Sequence, residues 1–188
     1  MKKLLALLLV SNSMIVMADD YYNSDVYQPY NGAGAYMNFN AGLGTMQNAP
    51  TGSFAGIINA GYNFNRALAL EGGVSFLPSE QYGQFMKYSL FDVAVKGTFP
   101  VASRWALYGR LGLATSNSSW NGDSSSPGIY SNGGSAWDYG GLAGLGISLA
   151  ITRHFDLRLE DSQYIPFAGQ AGNFGNVNIA DFGFQYNF

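Results

Sequence analysis

Residues 178–188 read Asn178-Ile179-Ala180-Asp181-Phe182-Gly183-Phe184-Gln185-Tyr186-Asn187-Phe188. Ala180, Phe182, Phe184, Tyr186 and Phe188 fall on one face; Asp181, Gly183, Gln185 and Asn187 fall on the other. Unbroken period-two alternation marks a β-strand with one apolar and one polar side. A final strand that offers four aromatic rings to its surroundings is at home in lipid. The stretch therefore predicts the closing strand of a transmembrane β-barrel, and the rest of the chain should repeat its pattern.

It does so seven times. Strands are predicted over about Ala33–Thr45, Ser53–Phe64, Ala67–Phe76, Met86–Phe99, Trp105–Ser116, Trp137–Ile151 and Phe155–Tyr164. Residues 46–52, 78–85, 117–136 and 165–176 read as loops, while Asn65-Arg66, Pro100–Arg104 and Thr152–His154 read as short turns. Long and short connections thus alternate around an even number of strands, as in bacterial outer-membrane barrels with short periplasmic turns and longer outer loops. Each predicted strand reaches the ~9–11 residues that a tilted strand needs to cross a bilayer. The predicted fold class is all-β: an eight-stranded antiparallel up-and-down transmembrane barrel over residues 33–188.

The start of the chain fits export. Met1-Lys2-Lys3, an apolar segment from Leu4 interrupted at Ser11–Ser13, and Val16-Met17-Ala18 have the layout of a secretory signal peptide over residues 1–18. Residues 19–32 read as a flexible lead-in. Removing Lys2 and Lys3 makes the mature chain more acidic than the net −3 of the full sequence, and no basic patch suggests nucleic acid. There is no cysteine, so backbone pairing and packing must hold an exported chain together. Charged residues are 11% of the chain, less than half the ~25% of soluble domains.

The charges test the face assignment. With faces set by apolar residues alone, Glu71, Asp92, Lys96, Arg110, Arg158, Glu160 and Asp181 all point inward. Lys or Arg facing mid-bilayer lipid costs ~2–4 kcal/mol, and acids less. Lys87 and Asp161 point outward and are expected near strand ends, where the cost falls to ~0–1 kcal/mol.

Several stretches together resemble the OmpA/OmpX-like eight-stranded outer-membrane barrels: Gly61-Tyr62-Asn63-Phe64, Leu68-Ala69-Leu70-Glu71-Gly72-Gly73, Asp92 through Lys96 to Pro100, Tyr108-Gly109-Arg110-Leu111-Gly112, and the ending Phe184-Gln185-Tyr186-Asn187-Phe188. The resemblance covers the mature chain. It implies a bacterial outer-membrane location among outer-membrane lipids. It also implies that Phe184, Tyr186 and Phe188 form the C-terminal signal read by the barrel assembly machinery. The sequence stops after strand eight, so no peptidoglycan-binding domain is expected.

An eight-stranded barrel is just wide enough for side chains to fill. At roughly 2.5 Å of climb per residue, the seven inward charges lie roughly 10–20 Å above the short turns. They are expected to form a plug in which Lys96, Arg110 and Arg158 bridge Glu71, Asp92, Glu160 and Asp181. The alternative is a narrow gated ion path, as the resemblance to OmpA also allows; a wide porin is excluded by strand number. Gly140, Gly144 and Gly146 are expected to make room for bulky neighbours inside.

Catalysis is not expected. The single histidine, His154, lies in a periplasmic turn, and neither metal-ligand spacing nor a nucleotide-binding glycine motif is present. The reading is therefore a monomer without cofactor or metal, structural or surface-interacting. Trp120, Ile129 and Tyr130 in the longest loop are candidate contacts for an unidentified host or surface ligand. A soluble lipocalin-like binding barrel is the rival. It would put apolar residues inside and the charges on its surface.

Overall fold

The computed structural model describes residues 33–47, 52–81, 84–120, 134–167 and 175–188. The expected signal peptide and lead-in lie outside the described residues, as do Ile129 and Tyr130. The described chain forms eight strands: β1 (Gly34–Met46), β2 (Ser53–Asn63), β3 (Leu68–Gln81), β4 (Gln84–Pro100), β5 (Trp105–Trp120), β6 (Gly134–Ala150), β7 (Phe155–Pro166) and β8 (Val177–Asn187). Each pairs antiparallel with the next, and β1 pairs with β8 from Tyr36↔Asn187 to Met46↔Val177. The sheet is a closed barrel. Closure leaves no open strand edge, which hydrocarbon would penalise at every unpaired N–H and C=O.

The two faces are as the alternation implies. Leu43, Leu111, Leu113, Leu145 and Leu159 project outward with more than half their surface exposed. Aromatic residues flank this aliphatic belt. Tyr62, Phe64, Phe99, Trp105, Phe155 and Phe188 stand exposed at the short-turn end; Phe54, Phe76, Phe91, Trp137, Tyr139 and Phe167 stand exposed at the other. Such girdles mark the two membrane–water boundaries. A lipocalin-like barrel has its faces the other way round, so that alternative fails.

The short turns owe their geometry to single side chains. Asn65 Oδ1 accepts from the amides of Ala67 (2.8 Å) and Leu68 (2.9 Å). Thr152 Oγ1 accepts from His154 (3.2 Å) and Phe155 (3.0 Å). These side chains stand in for backbone partners where the chain reverses.

Two loop expectations are corrected. Residues 78–85 are not a loop: β3 and β4 pair on from Leu77↔Tyr88 to Gln81↔Gln84. Pro78 had suggested a break, but it lies beyond Phe76, the last β3 residue paired with β2. An open edge tolerates proline. The longest loop is also shorter than expected. Asn117–Trp120 pairs with both β4 and β6, so Trp120 ends a strand instead of riding on a flexible arm. Polar side chains hid this extension, because beyond the lipid a strand has no reason to alternate.

Candidate functional site

The barrel interior is built by the inward positions of all eight strands. At its centre, two guanidinium groups and two carboxylates form a ring. Arg110 Nε lies 2.9 Å from Glu71 Oε1, an ion pair out of line for a hydrogen bond. Arg110 Nη1 donates to Glu160 Oε1 at 2.9 Å. Arg158 Nη2 donates to Glu160 Oε2 at 2.9 Å, and Arg158 Nη1 closes the ring on Glu71 Oε2 at 3.1 Å. Two further charges hang on it. Asp92 Oδ1 accepts from Arg110 Nη2 at 2.6 Å, and Lys96 Nζ lies 3.6 Å from Glu71 Oε2. Three cations and three anions balance, and all six are buried. Buried charges are tolerable only when paired and hydrogen-bonded in this way.

Neutral groups finish the ring. The Tyr36 hydroxyl donates to Glu71 Oε2 at 2.7 Å, and the Tyr108 hydroxyl donates to Glu160 at 2.9 Å while accepting from Arg158 Nε at 3.1 Å. Gln185 Oε1 accepts from both Lys96 and Arg158 at 3.3 Å. The Lys96 ammonium sits 4.1 Å above the Tyr36 ring centre, a cation–π contact. Tyr36 and Gln185 were legible as inward positions by alternation, but nothing in the sequence gave their partners.

Asp181 is the exception among the seven inward charges. It forms no ion pair among the described residues; its Oδ1 accepts from Asn40 Nδ2 at 2.7 Å. The expected bridge from a cation to Asp181 is therefore corrected: Arg158 is already committed to Glu71 and Glu160. Strand six behaves as its glycines suggested. A Cβ at Gly140 would strike the Tyr164 ring, at Gly146 the Tyr108 ring, and at Gly144 Glu160 Oε1 at 2.8 Å.

A second layer was missed in sequence. Beyond the ring, toward the long-loop end, Ile57, Leu77, Leu90, Leu142, Val177 and Ile179 pack together inside the barrel. The signal was there: on β8 the inward series runs Val177, Ile179, Asp181, apolar before charged. On the other side of the ring, at the short-turn end, a cavity of about 80 Å³ is lined by residues including Arg66, Lys96, Arg104, Asp156 and Gln185.

The remaining candidates are dispersed. Phe184, Tyr186 and Phe188 lie outward on β8, with Tyr186 packed edge-on against Phe155 at 5.0 Å and Phe188 at 5.1 Å. His154 stacks on Tyr186, and its Nδ1 donates to the Asn187 carbonyl at 2.8 Å. That bond ties the last turn to the closing strand and leaves no nucleophile or acid beside the imidazole. Among the described residues, no group of three or more His, Cys, Asp or Glu is placed to hold a metal ion.

Solved structures share this architecture. Neisserial surface protein A aligns with a TM-score of 0.66 at 14% identity, covering 84% of this chain and 97% of that one. The N-terminal β-barrel domain of Pseudomonas aeruginosa OprF gives 0.60 at 15% identity, covering 83% and 99%. Ail, the attachment invasion locus protein of Yersinia pestis, in complex with the heparin analogue sucrose octasulfate, gives 0.55 at 13%, covering 83% and 97%. At these identities the likeness speaks for the fold alone. No curated protein sequence matches the chain. The sequence does match the outer membrane protein beta-barrel domain over residues 4–188. The chain belongs to this family and is a bacterial outer-membrane β-barrel protein.

Proposed function

We propose that this barrel is closed to ions and acts through its place in the outer membrane and its outward loops, in a structural or surface-interacting role. The observation that carries the reading is the stacking of a charge-balanced ring under an apolar layer inside a barrel only eight strands wide. An ion would have to break buried pairs and then cross an apolar zone. Planar-bilayer recording of the refolded protein tests it. Wild type is expected to be silent, and Arg110→Ala and Arg158→Ala, which remove the two bridging guanidiniums, are expected to leak. Discrete wild-type openings altered by the same substitutions would replace this reading with the gated ion path.

Any surface ligand is expected to be uncharged or weakly charged. Residues 121–133 contain Asp123 and no Lys or Arg, and residues 168–176 carry no charge. A polyanion such as the one bound by Ail would find no cationic loop there. Trp120, Ile129 and Tyr130 supply apolar and aromatic contact instead.

Phe184, Tyr186 and Phe188 are read as the assembly signal. Phe188 is exposed and outside the buried interior. Phe188→Ala is therefore expected to lower the assembled barrel in cells while leaving refolding of purified protein in detergent unchanged. Equal losses in both yields would make Phe188 a stability residue only.

A further inference from the structure

Asp161 is out of place. Six residues along β7 from Phe155, it lies roughly 15 Å up from the periplasmic girdle, inside a lipid belt roughly 25 Å tall. It points outward between exposed Leu145 and Leu159, and exposed Ile165 and Phe167 lie beyond it on the same strand. The expectation that Asp161 sits near a strand end is thus corrected: the apolar belt continues past it. Gln163 is its outward neighbour on β7, and Asn178 pairs with Gln163 from β8. Asn178 Nδ2 donates to Asp161 Oδ1 at 3.0 Å. The Gln163 side chain has no hydrogen-bond partner among the described residues.

These three polar groups stand at one end of a groove of about 770 Å³ in the lipid-facing wall. Two ladder rows make it. One runs Gly97–Gly109–Leu145–Asp161; the other runs Val95–Leu111–Ala143–Gln163–Asn178. The fold does not require its glycines. A Cβ at Gly97 would meet nothing within 4 Å, and one at Gly109 only ordinary contacts, in contrast to the crowded inward glycines. Gly56 on β2 is equally open, but phenylalanines and isoleucine, not polar groups, surround it. Glycine weakens a strand and commonly marks close approach by another backbone.

We propose that this groove is the interface of a two-fold dimer with a second copy of the chain in the membrane. The patch is self-complementary. Asp161 supplies a carboxylate acceptor, and Gln163 and Asn178 supply amide donors on the adjoining strands. A two-fold axis near Gln163 brings each set onto the other, as an isologous contact requires. Small residues and hydrogen-bonding side chains are the two means by which membrane segments associate. An acyl chain fills the groove without satisfying the carboxylate, and a phosphate headgroup is repelled by it. The expectation of a monomer gives way here, whether or not the interior conducts.

The protein has no native cysteine, so one introduced thiol reads the contact directly. Gln163→Cys in native outer membranes is expected to give an oxidant-dependent band at twice the monomer mass. Leu70→Cys, lipid-facing on β3, is expected to give none. Adding Gly97→Phe, which fills the groove where the barrel itself leaves space, is expected to abolish the Gln163→Cys band while heat-modifiable gel mobility still reports a folded barrel. Three results would overturn the proposal. They are a monomer at Gln163→Cys, equal cross-linking at both positions, or a native mass spectrum of one chain carrying a lipid that Asp161→Leu releases. A cross-linked band of another mass would assign the groove to a different protein and overturn it equally.

Discussion

Glu71→Leu is expected to destabilise the barrel by about 3–5 kcal/mol, the effect of leaving buried charge without its partner. Glu71 is the hub of the interior: Arg110, Arg158, Lys96, Tyr36 and Asn38 all converge on its two oxygens. Removing it leaves three cations facing only Asp92 and Glu160. Stability of a typical domain is about 5–15 kcal/mol in total, so the loss decides whether much of the protein folds. Urea unfolding in lipid vesicles, followed by tryptophan fluorescence, measures it. Two comparisons give the number meaning. Glu71→Leu combined with Arg158→Leu restores charge balance and is expected to cost less than the two single changes added, with a coupling of about 1–3 kcal/mol. Asp181→Asn, outside the ring, keeps an acceptor for Asn40 and is expected to cost about 1 kcal/mol or less. If Glu71→Leu were no worse than Asp181→Asn, the ring would not be what holds the interior.

The contrast between Glu71 and Asp181 also marks the reach of sequence reading. Alternation put both inside, because a side chain's face follows from parity along its strand. It could not say which carboxylate meets which cation, since that depends on stagger between strands distant in sequence. Arg158 and Glu71 are 87 positions apart. The strand count, order and faces were legible for the same reason in reverse: lipid outside and packed side chains inside impose period two on every strand. Where that constraint ends, the reading failed. The β3–β4 pairs beyond Pro78 and the β5–β6 pairs beyond Ser116 carry no alternation to detect. The apolar inner layer was missed for a related reason. An apolar residue facing inward looks, position by position, like one facing lipid, and only its place in the inward series of β8 or β2 distinguishes Ile179 or Ile57. Asp161 violated the rule in plain sight and was excused as a strand-end charge; its true neighbours are what make it informative.

Gly183→Val is expected to block closure of the barrel. Gly183 faces inward on β8, opposite Asn40 of β1 and Arg158 of β7. A Cβ there would lie 2.6 Å from the Asn40 Cα and would also strike the Phe39 carbonyl and Asn40 Oδ1. Gly42 is the counterpart on β1, its missing Cβ facing the Asp181 Cα at 2.7 Å and the Ala180 carbonyl. The seam that joins the first strand to the last thus relies on absent side chains on both sides. Overpacking a core costs about 1–3 kcal/mol when side chains can shift. Here backbone must move, and it is the backbone whose pairing closes the barrel, so the effect should lie at or above that range. Unheated gel mobility of the refolded protein gives the folded fraction. Gly97→Val is the matched control: its Cβ enters open space on the lipid face, where a β-branched residue suits a strand, and its cost is expected within about 0.5 kcal/mol. Equal folded fractions for the two variants would mean that the seam can yield. A loss confined to Gly183→Val would place the steric limit of the fold at its point of closure, on the same inward face that carries the ion-pair ring.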